Sequence, residues 1–100
     1  MADTRRAPSL RSVPVAVRIS PKQMSREDYD RMIHELEASG LSEPEGRLYH
    51  AAYGEDQVEM FEVWRSQEEF EAHRDRTFAV LQGTDVSTFD VRPLHSEHPD

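Results

Sequence analysis

Residues 57–73 constrain the fold more than any other stretch, because a strand pattern there runs directly into a helix signal. The segment QVEMFEVWRSQEEFEAH reads as a strand as far as Trp64, the single tryptophan of the chain. Ser66 then precedes a glutamate by three positions, which is the capping box that begins a helix. Phe70 and His73 lie three residues apart and so share one helical face. The stretch predicts a strand, a tight corner and an amphipathic helix in succession.

With the patterns in the rest of the chain, the sequence predicts six elements in the order β-α-β-β-α-β. The strands are predicted at residues 13–20, 47–53, 57–65 and 86–94, and the helices follow Ser25 and Ser66 and end near Ser39 and Gly83. This order is the ferredoxin-like, split βαβ arrangement, in which right-handed crossovers place both helices on one side of an antiparallel four-stranded sheet. The predicted fold class is therefore α+β.

The hairpin between the second and third strands predicts which side chains share a face. If Tyr53 pairs with Val58, Glu62 lies on the same face as Tyr49, and His50 lies on the opposite face. Both faces of the sheet are then largely apolar, and two helices can cover only one of them. We therefore expect a homodimer in which a second copy covers the open face.

Length, charge and cysteine content limit the domain count and the partners. One hundred residues make a single domain, expected at residues 13–94, between a flexible basic arm at residues 1–12 and a polar tail at residues 95–100. Twenty acidic residues against 12 basic ones give a net charge of −8, which repels nucleic acid and anionic membranes. The chain has no cysteine and no apolar run after its arginine pair, so we expect a cytoplasmic protein.

The central stretch resembles a known family signature. Glu62-x-Trp64-x-Ser66, followed by Phe70 and His73, is similar to the strand-to-helix pattern of antibiotic biosynthesis monooxygenase-like proteins. The resemblance extends over most of the predicted domain. It implies a dimeric α+β barrel with a small-molecule cavity between each sheet and its helices. Activities in this superfamily include cofactor-independent oxidation of polyphenols and oxidative haem breakdown, and a fold alone does not choose between them.

Two departures from the family pattern bear on the activity. The polyphenol-oxidising and haem-degrading members use an asparagine in the cavity, and this chain contains no asparagine. The haem-degrading members carry their iron-ligating histidine late in the second helix, near Gly83 of this chain, whereas His73 lies about three turns earlier. Haem degradation is therefore disfavoured.

Two side chains are predicted to be catalytic bases. Glu62 lies among apolar neighbours in the predicted register, where burial would raise its pKa toward a useful range. His73 is predicted to face inward from the second helix, and a histidine titrates near neutral pH. A purely structural role is the alternative for each side chain. Glu62 is then held by an arginine or reaches solvent, and His73 packs where the helix meets the sheet.

Four further residues are predicted to contact a ligand: Trp64, Tyr49, His50 and Phe70. Trp64 offers a flat ring for an aromatic ligand, although a lone tryptophan in a strand is more often core packing. His50 and His73 are not a closely spaced pair of the kind that organises a metal site. Neither a metal nor a bound cofactor is therefore expected.

These patterns lead to two hypotheses. In the first, the chain is a homodimeric barrel that binds, and oxidises without a bound cofactor, a small aromatic or apolar metabolite. In the second, it is a non-catalytic dimeric ligand-binding or accessory module whose apolar faces serve only as an interface. The missing asparagine favours the second hypothesis.

Overall fold

The computed structural model describes residues 13–80 and 87–95, and within them two helices pack on one antiparallel sheet. The elements are β1 (Val15–Pro21), α1 (Arg26–Ala38), β2 (Arg47–Tyr53), β3 (Glu59–Trp64), α2 (Gln67–Val80) and β4 (Ser87–Pro93). The strands lie in the order β2-β3-β1-β4. The predicted ferredoxin-like α+β fold is confirmed. The predicted arm, the helix end at Gly83 and residues 96–100 of the tail lie outside the described residues.

Each helix begins at a serine, as the sequence predicts. Ser25 Oγ accepts a hydrogen bond from the Asp28 backbone N–H at 3.2 Å, and the Asp28 carboxylate accepts one from the Ser25 N–H at 3.1 Å. At α2, Ser66 Oγ accepts from the Glu69 N–H at 3.2 Å. Because these side chains satisfy amide groups that a helix start leaves open, α2 begins within three residues of the end of β3.

The core lies between the helices and one face of the sheet. Its most deeply buried side chains come from alternate positions of β1, from β3 and its preceding loop, and from the first turn of α2: Val15, Val17, Val58, Met60, Trp64 and Phe70. Tyr29 and Met32 of α1 pack against this cluster. The helix-facing side of the sheet is therefore the side that carries Trp64.

The predicted hairpin register is wrong by one residue. Tyr53 pairs with Glu59 rather than with Val58. The physical reason is that the backbone N–H of Val58 donates to the carbonyl of Met24 at 2.7 Å, which takes Val58 out of the hairpin and lengthens the connection by one residue. A one-residue slip exchanges the two faces of a strand. His50 therefore lies opposite Glu62.

A β-bulge in β2 turns one further side chain toward the helices. Arg47 pairs with Trp64 and Tyr49 with Val63, so Leu48 is the extra residue between them. Without the bulge, Arg47 and Tyr49 would point to the same face. With it, Arg47 reaches the helix-facing side, and Leu48 is 56% exposed.

The opposite face of the sheet carries aromatic side chains with little cover in the single chain. Tyr49 is 55% exposed and Tyr53 is 52% exposed, and the Tyr49 ring packs edge-on against Phe61 at 6.2 Å between centroids. Tyr49 was predicted to lie across from Glu62, and the register excludes that position. Within the described residues, no helix has the length and apolarity needed to cross a membrane.

Candidate functional site

A buried carboxylate stands at the centre of the helix-facing side. Glu62 is 5% exposed and accepts three hydrogen bonds. His50 Nδ1 lies 2.6 Å and Arg47 Nη1 lies 3.4 Å from Oε2. The Trp64 Nε1–H donates to Oε1 at 2.7 Å. Because Trp64 is two residues along the same strand, the Glu62 carboxylate is fixed both along β3 and across to β2.

These contacts reverse the expected titration of Glu62. Burial alone would raise its pKa, as the sequence suggested. The hydrogen bonds from His50 and Trp64 and the charge of Arg47 outweigh burial, and the pKa of Glu62 is lowered below its ordinary value. Glu62 is thus a fixed anion at neutral pH, which accepts hydrogen bonds and is a weak base.

His50 is held at both ring nitrogens. Nδ1 contacts Glu62, and Nε2 lies 2.7 Å from the hydroxyl oxygen of Tyr29 on α1. The Tyr29 and His50 rings are stacked, with 7° between their planes and 6.1 Å between their centroids. The structure thus places three side chains in one hydrogen-bonded row, Tyr29–His50–Glu62, which ties α1 to β2 and β3.

Arg47 is anchored on two sides. In addition to its contact with Glu62, its Nη2 donates to the carbonyl of Ser42 at 2.8 Å. Its side chain is 18% exposed, so the ion pair with Glu62 is shielded from water. Arg47 thus helps to hold the Glu62 carboxylate in its charged form.

Trp64, Phe70 and His73, predicted from the sequence as site residues, lie together in the core. They are 1%, 2% and 7% exposed. The Trp64 ring packs edge-on against the Phe70 ring, with 5.8 Å between their centroids. The centroid of the His73 ring lies 5.3 Å from that of Trp64. His73 therefore faces inward as predicted, and Trp64 connects it to the carboxylate of Glu62.

His73 is buried with one polar atom unsatisfied. Within the described residues its Nδ1 has no hydrogen-bond partner. Burial lowers the pKa of His73 and the charges of Arg47 and Arg76 act in the same direction, whereas the Glu62 carboxylate opposes them. The imidazole is therefore neutral in the folded protein at neutral pH.

We expect His73 to make the protein less stable in mild acid. The unfolded chain takes up a proton on this histidine below its ordinary pKa of about 6.5, whereas the folded chain resists protonation until a lower pH. The destabilisation due to His73 protonation in the unfolded chain is therefore absent above about pH 6.5 and grows as the pH falls toward the folded pKa of His73. Urea unfolding of His73→Leu across this window should show a flatter pH dependence than the wild type.

His34→Leu replaces an exposed histidine on α1 and provides the matched control for the substitution itself. At neutral pH, His73→Leu should be at least as stable as the wild type, since it removes an unsatisfied buried nitrogen. An unchanged slope in His73→Leu would contradict the assignment.

Two open clefts border the row Tyr29–His50–Glu62, one lined by His50 and the other by Tyr29. The first, here called the β2 cleft, has a volume of about 430 Å³ and is lined by Arg47, Leu48, Tyr49 and His50 with the loop before β2. The second, the α1 cleft, has a volume of about 350 Å³ and is lined by Tyr29, Ala52, Tyr53 and Val58, among others. Both volumes suit a small ligand. Trp64 and Phe70 line neither cleft.

Two residues of this cluster were absent from the predicted site. Tyr29 lies within the first predicted helix and Arg47 begins the second predicted strand, and neither was singled out as a site residue. No local signal marks either one, because Tyr29 depends on the β2 register and Arg47 on the bulge. Across the described ranges, no group of three or more histidine, aspartate or glutamate side chains is arranged to hold a metal ion.

Comparison with known proteins identifies the fold. No family model and no curated protein matches the sequence. Solved structures do match. SnoaB, a cofactor-independent oxygenase from Streptomyces nogalater whose structure is that of a mutant, superposes with a TM-score of 0.59 at 11% identity, over 89% of this chain and 99% of that one.

Two more structures give the same result. PA3566 from Pseudomonas aeruginosa has a TM-score of 0.61 at 15% identity, covering 86% of this chain and 98% of its own. A candidate antibiotic biosynthesis monooxygenase from Chloroflexus aurantiacus has a TM-score of 0.55 at 18% identity, covering 84% and 96%. The predicted resemblance to monooxygenase-like proteins is thus confirmed for the fold.

Proposed function

We propose that this protein binds a small aromatic or otherwise apolar metabolite and oxidises it with molecular oxygen, without a bound cofactor. The observation that carries the proposal is the row Tyr29–His50–Glu62, in which a histidine that lines the β2 cleft is aligned by a buried, charged carboxylate, and Tyr29 lines the α1 cleft. The base in this proposal is His50, whereas the sequence suggested Glu62 and His73. Glu62 becomes a positioning residue, because its lowered pKa makes it a poor proton acceptor.

Such a row suits proton abstraction. A carboxylate that accepts the Nδ1–H of a histidine fixes its tautomer and stabilises the imidazolium that forms when the other nitrogen takes a proton. The Arg47 guanidinium keeps that carboxylate ionised. Loss of a proton makes a phenol or related ring electron-rich enough to react with oxygen directly.

The oxidation balances without another reductant. The deprotonated ring forms a bond to one oxygen atom of O₂ at a ring carbon that carries hydrogen. One oxygen atom stays as a new carbonyl group, and the other leaves as water with two hydrogen atoms from the substrate. The fold likeness to SnoaB, described as a cofactor-independent oxygenase, supports this reaction class. Because this chain has no asparagine, its proton transfer must depend on other side chains.

We further propose that the protein works as a homodimer in the cytoplasm. The aromatic side chains on the uncovered face of the sheet, Tyr49 and Phe61 among them, support association of two copies. The lack of cysteine supports a reducing compartment.

A non-catalytic binding or accessory role is the second candidate. It is favoured by the burial of Trp64 and Phe70, which pack as core rather than lining a cleft. In that case the Glu62 cluster would serve only to hold α1 on the sheet.

An oxidation assay separates these two functions. With 1,3-dihydroxynaphthalene, the wild type should consume oxygen and form 2-hydroxy-1,4-naphthoquinone and water. His50→Gln should reduce this rate by about 100-fold or more, since general-base catalysis contributes about 10²–10⁴-fold. His34→Gln, an exposed histidine on α1, should retain the wild-type rate.

Equal rates in the wild type and His50→Gln would reject catalysis at this site. Light scattering of the same samples gives the oligomeric state, and a stable monomer at micromolar concentration would remove the homodimer from the proposal.

A further inference from the structure

Neither nitrogen of His50 is open to a ligand. Nδ1 is 2.6 Å from the Glu62 carboxylate, and Nε2 is 2.7 Å from the Tyr29 hydroxyl. A substrate in the β2 cleft would meet the edge of the imidazole and no free lone pair. If His50 takes a proton from a substrate, the proton must arrive through one of these two partners.

The chemistry of the two partners of His50 fixes which group donates in each hydrogen bond of the row Tyr29–His50–Glu62. An ionised carboxylate only accepts hydrogen bonds, so His50 Nδ1 carries the hydrogen that it shares with Glu62. In the neutral imidazole, Nε2 then holds the lone pair, and the Tyr29 hydroxyl donates to it. The Tyr29 oxygen keeps its own lone pairs, which remain free to accept a hydrogen bond.

We propose that Tyr29 is the catalytic residue that meets the substrate, and that the substrate binds in the α1 cleft as a neutral phenol or enol. This inference rests on the function proposed above and assigns the cleft, the contacting residue and the chemical class of the ligand. Tyr29 lines the α1 cleft, whereas the β2 cleft is lined by His50 and not by Tyr29.

The proton transfer is a balanced relay. The O–H bond of the substrate breaks, and its proton binds the Tyr29 oxygen. At the same time the original Tyr29 proton moves to His50 Nε2, so Tyr29 ends as it began. The net result is a substrate anion and an imidazolium, and that cation lies against the Glu62 carboxylate.

The α1 cleft fits a neutral ring with a hydroxyl group. Ala52 and Val58 supply apolar lining, with Tyr53 also among the lining residues, and the volume of about 350 Å³ lies in the range of small-ligand sites. Its exposed rim carries Asp30 and Glu55 and one arginine, Arg26, which is 3.6 Å from the Glu55 carboxylate. The excess of acid at this rim disfavours a ligand that arrives as an anion.

The titration of Tyr29 agrees with this role. Burial raises its pKa, and the charges of Glu62 and Asp30 act in the same direction against Arg47. Tyr29 therefore keeps its proton until a ligand replaces it, which a relay requires.

Binding of 4-nitrophenol tests the relay, because its phenolate and phenol forms absorb differently. At a pH where the free probe is mostly neutral, the wild type should increase the ionised fraction of bound probe several-fold. Tyr29→Phe keeps the stacked ring and removes only the hydroxyl. It should abolish the increase while changing the binding affinity, measured by equilibrium dialysis, by less than about threefold.

Three further variants complete the design. His50→Gln should also abolish the ionisation, and His34→Gln on the exposed side of α1 should behave as the wild type. Ala52→Leu fills the α1 cleft and should weaken binding of the probe at least tenfold. Each protein is checked by circular dichroism before the assay.

The outcomes distinguish this inference from the proposed function. Equal ionisation of bound probe in Tyr29→Phe and the wild type would overturn the relay, and unchanged binding in Ala52→Leu would overturn the choice of cleft. Either result leaves the oxidation by His50 standing. No binding of 4-nitrophenol to the wild type would instead count against the proposed aromatic-ligand function itself.

Discussion

Glu62→Ala is expected to lower the free energy of unfolding by about 3–5 kcal/mol, the cost typical of removing one partner from a buried ion pair. Without the carboxylate, Arg47 keeps its charge at a side chain that is only 18% exposed, and His50 Nδ1 and Trp64 Nε1 lose their acceptor. Glu62→Gln retains an amide oxygen as an acceptor and should cost less. Urea unfolding followed by far-UV circular dichroism measures both variants.

The same carboxylate should give the wild type a loss of stability in acid. The pKa of Glu62 is lowered in the folded protein, so its contribution is present above the unfolded value of about 4.3 and is lost as the pH falls through the folded pKa. Glu62→Gln should lack this loss. The exposed Glu55, paired with Arg26, provides the control, because Glu55→Ala should leave the unfolding midpoint almost unchanged. Wild-type stability in Glu62→Ala would mean that the cluster does not stabilise the fold.

Trp64→Ala is expected to have an effect of similar size, about 3–5 kcal/mol, through a different cause. Trp64 is 1% exposed and contacts both Phe70 and His73, so alanine leaves a cavity beneath α2. Trp64→Phe keeps much of this packing and removes the N–H that donates to Glu62 at 2.7 Å, and should cost about 1–3 kcal/mol.

The Trp64 variants remove the single tryptophan of the chain, so their unfolding must be followed by circular dichroism instead of tryptophan fluorescence. His34→Ala serves as the exposed control and should unfold with the wild type. A loss below about 1 kcal/mol in Trp64→Ala would show that the core repacks around the missing ring, contrary to the expectation.

The sequence was sufficient for the features that depend on near neighbours. The helix starts at Ser25 and Ser66 follow from a serine and an acid three residues apart, and the element order follows from the alternation of strand and helix patterns. Inward-facing Phe70 and His73 follow from helical spacing alone. Each of these signals lies within a few residues of the feature that it predicts.

The faces of β2 could not be predicted in this way. They depend on the hydrogen bond from Val58 to Met24, residues 34 positions apart in sequence, and on the extra residue at Leu48. The titration of Glu62 was misjudged for the same reason, because His50 and Arg47 become its partners only through the observed register and bulge. When the partners of a carboxylate are unknown, burial is the one effect on its pKa that can be assessed. Burial predicts a raised pKa, the opposite of the lowered pKa of Glu62.

The bulge at Leu48 also affects how this sheet can grow. β2 is an outer strand of the sheet, and an outer strand with a regular backbone offers a template to which another chain can add. The extra residue interrupts the spacing of N–H and C=O groups along that border, and Pro93 removes one donor from the other border at β4. A strand that added to β2 would lose backbone hydrogen bonds at the bulge, and one that added to β4 would lose a backbone hydrogen bond at Pro93. The residue that directs Arg47 inward therefore also discourages sheet extension, which agrees with the face-to-face contact of the proposed homodimer.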